Sequence, residues 1–208
     1  MFFRTPSILP LLYPTLIWRI PTTENKIYLT FDDGPVPGPT DFVLEQLKQF
    51  NAKATFFCIG NNVEKNESLF EKIGDQGHAV GNHTQNHKKG WITSNDEYLN
   101  DISFCQEKMK DTVLFRPPFG RIKRSQIKQL NNYKIVMWDV LSYDYSSTMN
   151  RDRCLQGVIR ASRPGSIVVF HDSYKAEENM TYALPRLLDH FSQKGYKFES
   201  LSEENKGL

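Results

Sequence analysis

Five short clusters in this chain bring together residue types that do chemistry. Thr30-Phe31-Asp32-Asp33-Gly34-Pro35 sets two carboxylates side by side after an apolar run, and Gly34-Pro35 turns the chain at once. Successive strand residues point to opposite faces, so one carboxylate can bind a metal while the other stays free to move a proton. His83 and His87 are spaced i, i+4. On a helical turn they face one side and can bind one divalent ion. No Glu follows His83, which excludes the H-E-x-x-H arrangement. Adding a carboxylate such as Asp33 gives a two-His, one-carboxylate set. That set suits zinc with an open position, and also iron(II), manganese or cobalt.

The other three clusters supply charge and a proton donor. Arg116 is fixed by Pro117 and Pro118, and such a cation can hold a carboxylate in place and keep it ionised. In the run 137–145, Asp139 and Asp144 are candidates for orienting a histidine, and Trp138 for stacking on a sugar face. His171 closes the run Val169-Phe170-His171-Asp172, where a neighbouring carboxylate can make it a general acid. Taken singly, each cluster also reads as a polar turn, a surface histidine pair, a rigid loop or a core aromatic.

These residues need a frame. Runs 26–31, 54–59, 78–81, 113–115, 135–140, 166–170 and 197–201 read as strands. Helical patterns lie between them: one capped by Thr40, others over 63–76, 121–131 and 152–162. A further one follows the Ser94…Glu97 capping box, and the last carries Leu184, Leu187, Leu188 and Phe191. About seven strands alternating with helices predict an α/β protein with a largely parallel sheet, either open and doubly wound or closed into a barrel. The chain's 208 residues suit one domain and fall near the lower end for a (β/α)₈ barrel. All five clusters fall at predicted strand ends, the edge where parallel α/β folds build their sites.

Composition narrows the partners. Lysine and arginine total 26 against 24 acidic residues, a net charge of +2, which gives no electrostatic reason to expect nucleic acid or an anionic membrane as the main partner. Three scattered cysteines, Cys58, Cys105 and Cys154, form no disulfide framework and read as buried thiols. Residues 1–25 carry an apolar stretch interrupted by Pro10 and Pro14. They are read as an arm packed on the domain, with membrane-surface contact or a signal segment as alternatives. Residues 26–201 form the domain and 202–208 a polar tail.

The five clusters, in this order, resemble the five motifs of the polysaccharide deacetylase family, the NodB-homology domain of carbohydrate esterase family 4. The resemblance runs from about residue 26 to 201. It implies a distorted or incomplete (β/α) barrel whose site lies in a groove at the C-terminal face. It also implies metal-dependent removal of the N-acetyl group from N-acetylglucosamine-type residues of a glycan. Asp32 then resembles the catalytic base, and Arg116 the residue that positions it. Asp33, His83 and His87 resemble the metal ligands, most readily of Zn2+ with Co2+ or Mn2+ as alternatives. His171 resembles the acid, the backbone N–H of Phe119 the oxyanion donor, and Val169 the wall of an acetyl pocket.

Two departures matter. Many relatives carry an Asp where Leu141 stands, paired with the catalytic His, so Asp139 or Asp144 would have to tune His171 here. The chain also lacks a convincing signal peptide. That favours a cytoplasmic or membrane-peripheral location and admits a lipid-linked or small sugar precursor as substrate. An O-acetyl esterase and a catalytically silent sugar-binding protein are the remaining alternatives.

Overall fold

In the computed structural model, residues 2–109 and 112–202 are described. Most of the expected polar tail, residues 203–208, therefore lies outside the described residues. Eight strands form one parallel sheet: β1 (Lys26–Asp32), β2 (Ala54–Cys58), β3 (Ala79–Asn82), β4 (Leu114–Phe115), β5 (Lys134–Ile135), β6 (Val140–Leu141), β7 (Ile167–His171) and β8 (Lys197–Phe198). The order is β5-β4-β3-β2-β1-β7-β6, with β8 beside the start of β1. The helices are α1 (Ile8–Leu12), α2 (Pro39–Gln49), α3 (Gly60–Lys65), α4 (Glu67–Asp75), α5 (Asn95–Gln106), α6 (Arg124–Ile127), α7 (Arg151–Ala161) and α8 (Glu177–Ser192).

The central strands are buried on both faces, as a parallel sheet covered by helices requires. Leu29 and Phe31 of β1, with Val168 and Phe170 of β7, pack outward among Val43, Leu47 and Leu184. Tyr28 and Ile167 face inward with Ile20, Phe57 and Leu114. The sheet thus curls around a second core, and the inward positions at its downstream end carry the polar residues.

Three expected elements differ. The single helix over 63–76 is two, broken at Asn66, whose side-chain amide donates to the Pro35 and Asn62 carbonyls and whose φ of −137° is not helical. The helix over 121–131 shrinks to α6, because the chain after Ile127 tightens into turns, with Gln129 N–H on the Gln126 carbonyl and Leu130 N–H on that of Ile127. The strand over 135–140 is divided between opposite edges of the sheet. Val136 N–H still donates to Phe115 of β4, whereas Asp139 N–H donates to Ile167 of β7. One extended segment therefore crosses from one edge to the other and brings the curled sheet close to closure.

The N-terminal arm lies in that seam. Arg4 bridges Val140 and Ile17 bridges Val136, so the arm pairs with the segment at both edges. Unpaired strand edges template aggregation, and covering them is a common protection. Phe3 packs onto Gly157, where a Cβ would sit only 2.2 Å from its ring. The three cysteines are free and buried.

Candidate active site

Asp32 ends β1 and lies in register with His171, the last residue of β7. Partners in register share a face, so the pair flanks one inward groove. Val169 and Thr30, two residues earlier, form the layer beneath. Leu141 pairs with Val169 on the next strand.

Asp32 is held by a buried cation. Arg116 Nη1 donates to Asp32 Oδ1 at 2.7 Å and to Thr30 Oγ1 at 2.7 Å. Its remaining donors go to the Val136 carbonyl at 3.1 Å and the Met137 carbonyl at 2.8 Å. The guanidinium also stacks on Phe57, 4.1 Å from the ring centroid. Burial lowers the Arg116 pKa, and the Asp32 charge opposes that. With all three nitrogens hydrogen-bonded and one face stacked, the fork is fixed, which is what preorganised positioning requires.

Asp33 departs from the strand with φ of 83°, which turns its carboxylate away from that of Asp32. Asp33 Oδ1 lies 3.2 Å from His87 Nε2 and 3.7 Å from His83 Nε2, and one ligand atom from each residue falls within 4.8 Å of the others. Ligands on a tetrahedral zinc sit about 3.3 Å apart, given bond lengths of about 2.0–2.1 Å. The donor set therefore fits a divalent ion. His83 Nδ1 is spent on the Arg116 carbonyl at 2.7 Å, which leaves Nε2 as the ligand atom. Burial pushes the His83 pKa down to about 4, so the ring is neutral and able to ligate. Burial raises the Asp33 pKa, but the hydrogen bond to His87 and the charges of His171, His83 and His87 outweigh it, leaving it well below the usual carboxylate range.

The histidine pair does not sit on a helical turn. Residues 83–87 form a loop after β3, with Thr84 at φ 65° and His87 at φ 54°. Asn82 Oδ1 accepts from Thr84 N–H at 2.8 Å, and the buried Asp101 carboxylate of α5 accepts from Asn86 N–H at 2.9 Å. Among the described residues, six non-glycine residues have positive φ, and only Asn51 lies away from the loops that bear or flank these groups. Strained backbone gathers where a site over-determines it.

His171 has a carboxylate partner despite Leu141. Its Nδ1 lies 2.7 Å from Asp144 Oδ1, and its backbone N–H donates to Asp144 Oδ2 at 2.7 Å. Burial disfavours the imidazolium. The Asp144 charge and hydrogen bond, with Asp33 and Asp32 behind them, overcome that and push the pKa up to about 9. Asp139 is a correction. It lies at the upstream end of the barrel, where it accepts from Arg163 and from Ser166 Oγ, because its N–H pairs with the first residue of β7 rather than the last.

Phe119 follows the Arg116 motif with φ of 60°, and its ring lies 4.6 Å from that of His87. Trp138 is half-buried against Gly120, where a Cβ would come 2.5 Å from its ring. Tyr145 and Asp172, like Asp101, contribute without a role assigned from sequence. Tyr145 packs its ring edge-on to His171 at 4.8 Å. Asp172 is fully buried and braces the first motif, accepting from Gly34 N–H at 3.0 Å and Thr40 Oγ1 at 2.6 Å. Strand alternation was the available signal, since Asp172 must face away from His171.

A fixed carboxylate and a protonated imidazole, in register on adjacent strands beside a three-ligand cluster at the downstream mouth of a curled parallel sheet, define a hydrolytic centre. The family model for polysaccharide deacetylase matches residues 19–138. A peptidoglycan-N-acetylglucosamine deacetylase of Bacillus cereus is 34% identical over 199 residues, covering 89% of this chain and 91% of that protein. The solved structure of the Bc1960 peptidoglycan N-acetylglucosamine deacetylase, in complex with 4-naphthalen-1-yl-N-oxidanyl-benzamide, superposes with a TM-score of 0.87 at 31% identity over 95% of both chains. BA3943 of Bacillus anthracis, a pseudoenzyme of carbohydrate esterase family 4, superposes with a TM-score of 0.80 at 27% identity, covering 90% of this chain and 67% of that one. The chain belongs to the polysaccharide deacetylase family. It is a carbohydrate deacetylase with the family's distorted (β/α) barrel, and deacetylases of this family depend on a divalent metal.

Proposed function

We propose that this enzyme removes the N-acetyl group from N-acetylglucosamine residues of peptidoglycan, using Asp32 as base and His171 as acid. The observation that carries the reading is the in-register pair Asp32 and His171, each clamped by its own partner, Arg116 and Asp144, beside the Asp33, His83 and His87 cluster. The likeness to the Bacillus cereus deacetylase supports the choice of glycan.

Asp33, His83 and His87 hold the metal, with zinc the first choice for two imidazoles and one carboxylate. When bound it supplies Lewis acidity toward the acyl carbonyl and makes water a better nucleophile at neutral pH. Asp32 takes the proton of the attacking water, and Arg116 keeps its oxygens aimed at the groove. The Phe119 N–H donates to the oxyanion that forms as the carbonyl carbon becomes tetrahedral, a contribution of about 3–4 kcal/mol for one well-placed donor. His171 gives its proton to the sugar nitrogen, so that the leaving group is an amine and not its anion. Asp144 holds that ring in the orientation and charge state the transfer needs. Val169 and Leu141 form the apolar floor against which the acetyl methyl fits. Acetate and a free amino sugar are the products.

The test is acetate and amine release from peptidoglycan-derived N-acetylglucosamine oligomers. The protein is stripped with chelator and reloaded with zinc, cobalt or manganese. Metal-restored release is expected. A folded, metal-loaded protein that releases nothing, from these or from O-acetylated and lipid-linked substrates, would make the chain a silent binder like the pseudoenzyme it resembles.

A further inference from the structure

The upstream end of the barrel carries a surface that the deacetylase reaction does not use. Helix α1 buries none of its five residues. Leu11 is 75% exposed, Ile8 55% and Leu12 51%, and Phe2 on the same arm is 80% exposed. Leu11 and Leu12 line a groove of about 1520 Å³ between the arm and the segment following α6. Pockets for single small molecules are about 300–1,000 Å³, so this is a surface rather than a ligand site.

The groove is strongly cationic. Arg4, Arg19, Arg124, Lys128, Lys134 and Arg163 line it, against one carboxylate, Asp139. Asp139 is buried and already holds Arg163 and Ser166. Among the described residues, Arg19, Arg124, Lys128 and Lys134 have no acidic partner. The chain's overall balance of +2 hides this concentration.

We propose that this face docks on an anionic lipid bilayer, with Leu11, Leu12 and Ile8 entering the acyl boundary and the surrounding cations meeting lipid phosphates. Stable peripheral binding takes two signals, an apolar insertion and a basic patch, and the arm offers both within one groove. Charge complementarity selects an anionic surface, while three exposed aliphatic side chains on one short helix have no use in binding nucleic acid. No helix among the described residues is long and apolar enough to cross a membrane, so the contact is peripheral. Lys134 begins β5, Asp139 pairs with the start of β7, and Arg19 bridges Ser166 just before it. Asp32 and His171 sit at the opposite ends of their strands, so a docked molecule would hold its groove away from the bilayer.

The test is co-sedimentation of the full chain with phosphatidylglycerol/phosphatidylcholine vesicles and with pure phosphatidylcholine vesicles, at low and high salt. Binding to the anionic vesicles alone, lost at high salt, is expected. Lys128→Glu with Lys134→Glu, and separately Leu11→Ser with Leu12→Ser, should each lower the partition about tenfold or more. All four residues are exposed, so thermal unfolding and deacetylation of soluble oligomers should stay unchanged. Equal binding to both vesicle types, no binding at low salt, or undiminished binding by either double variant would each overturn the proposal.

Discussion

At the scale of single residues, the reaction depends on where two protons sit. Asp32→Asn keeps the shape and the Arg116 contact but cannot take a proton. Turnover should fall about 10²–10⁴-fold, the worth of general base catalysis, while bound metal per chain stays unchanged. Metal analysis and acetate release on the same sample check both halves, and wild-type-like turnover would refute the base assignment. His171 is the other proton. Its folded pKa of about 9 stands above the ordinary 6.5 because of Asp144. A raised imidazole pKa stabilises the folded protein in full below pH 6.5, and that contribution disappears as pH rises through about 9. The acid is also active only while protonated, so kcat/KM should decline on the alkaline side as His171 loses its proton. In Asp144→Asn the alkaline limb should move to lower pH, and the gap in melting temperature between it and wild type should be wide at pH 6 and narrow at pH 9.5. A limb that does not move would separate His171 from the observed ionisation.

At the scale of elements, the ligands are only as good as the loops that carry them. The loop after β3 is held by α5, through Asp101 on the Asn86 N–H and amide at 2.9 and 2.5 Å. Asp101→Ala removes both contacts to Asn86, so the loop should relax and zinc affinity fall about 10–100-fold, as for lost outer-shell support. Titration against a competing chelator reads this, and an unchanged affinity would mean that the strained backbone alone holds His83 and His87. This loop also shows how far a sequence can be read. The chemistry was legible, because residue types at strand ends need no knowledge of neighbours. His83 and His87 meet from a loop and not from a helical turn, since i, i+4 spacing is satisfied equally by a loop with two left-handed residues. Asp139 and Asp144 could not be separated either. Which one meets His171 depends on the point at which the segment 134–141 leaves β4 and joins β7, a tertiary fact. Asp101 and Asp172 went without roles for the same reason, as each acts on a partner distant in sequence.

At the scale of the whole molecule, the arm and the site are one structure. Phe2 accepts a hydrogen bond from the Tyr143 hydroxyl at 3.0 Å through its carbonyl, and Phe3 meets the Tyr143 ring edge-on at 5.6 Å. Tyr143 lies 6.4 Å from Tyr145, and Tyr145 packs on His171. A line of aromatic rings therefore runs from the N-terminus to the acid. The same arm covers the edges at β5 and β6. Removing residues 2–21 takes away both supports. The melting temperature should drop, and aggregation should become concentration-dependent as the strand edges are uncovered. Because that variant also loses the buried Leu16 and Ile20, a second one isolates the link to the acid. Phe3→Ala removes one ring above Gly157 and leaves the edge pairing intact. It should destabilise by about 2–3 kcal/mol, below the 3–5 kcal/mol typical of a fully buried aromatic, because Phe3 is only partly buried. If the rings hold His171 in place, kcat should fall with KM nearly unchanged, since His171 acts in the transition state and not in binding. A Phe3→Ala protein that is less stable but has wild-type kcat would confine the arm to a structural role.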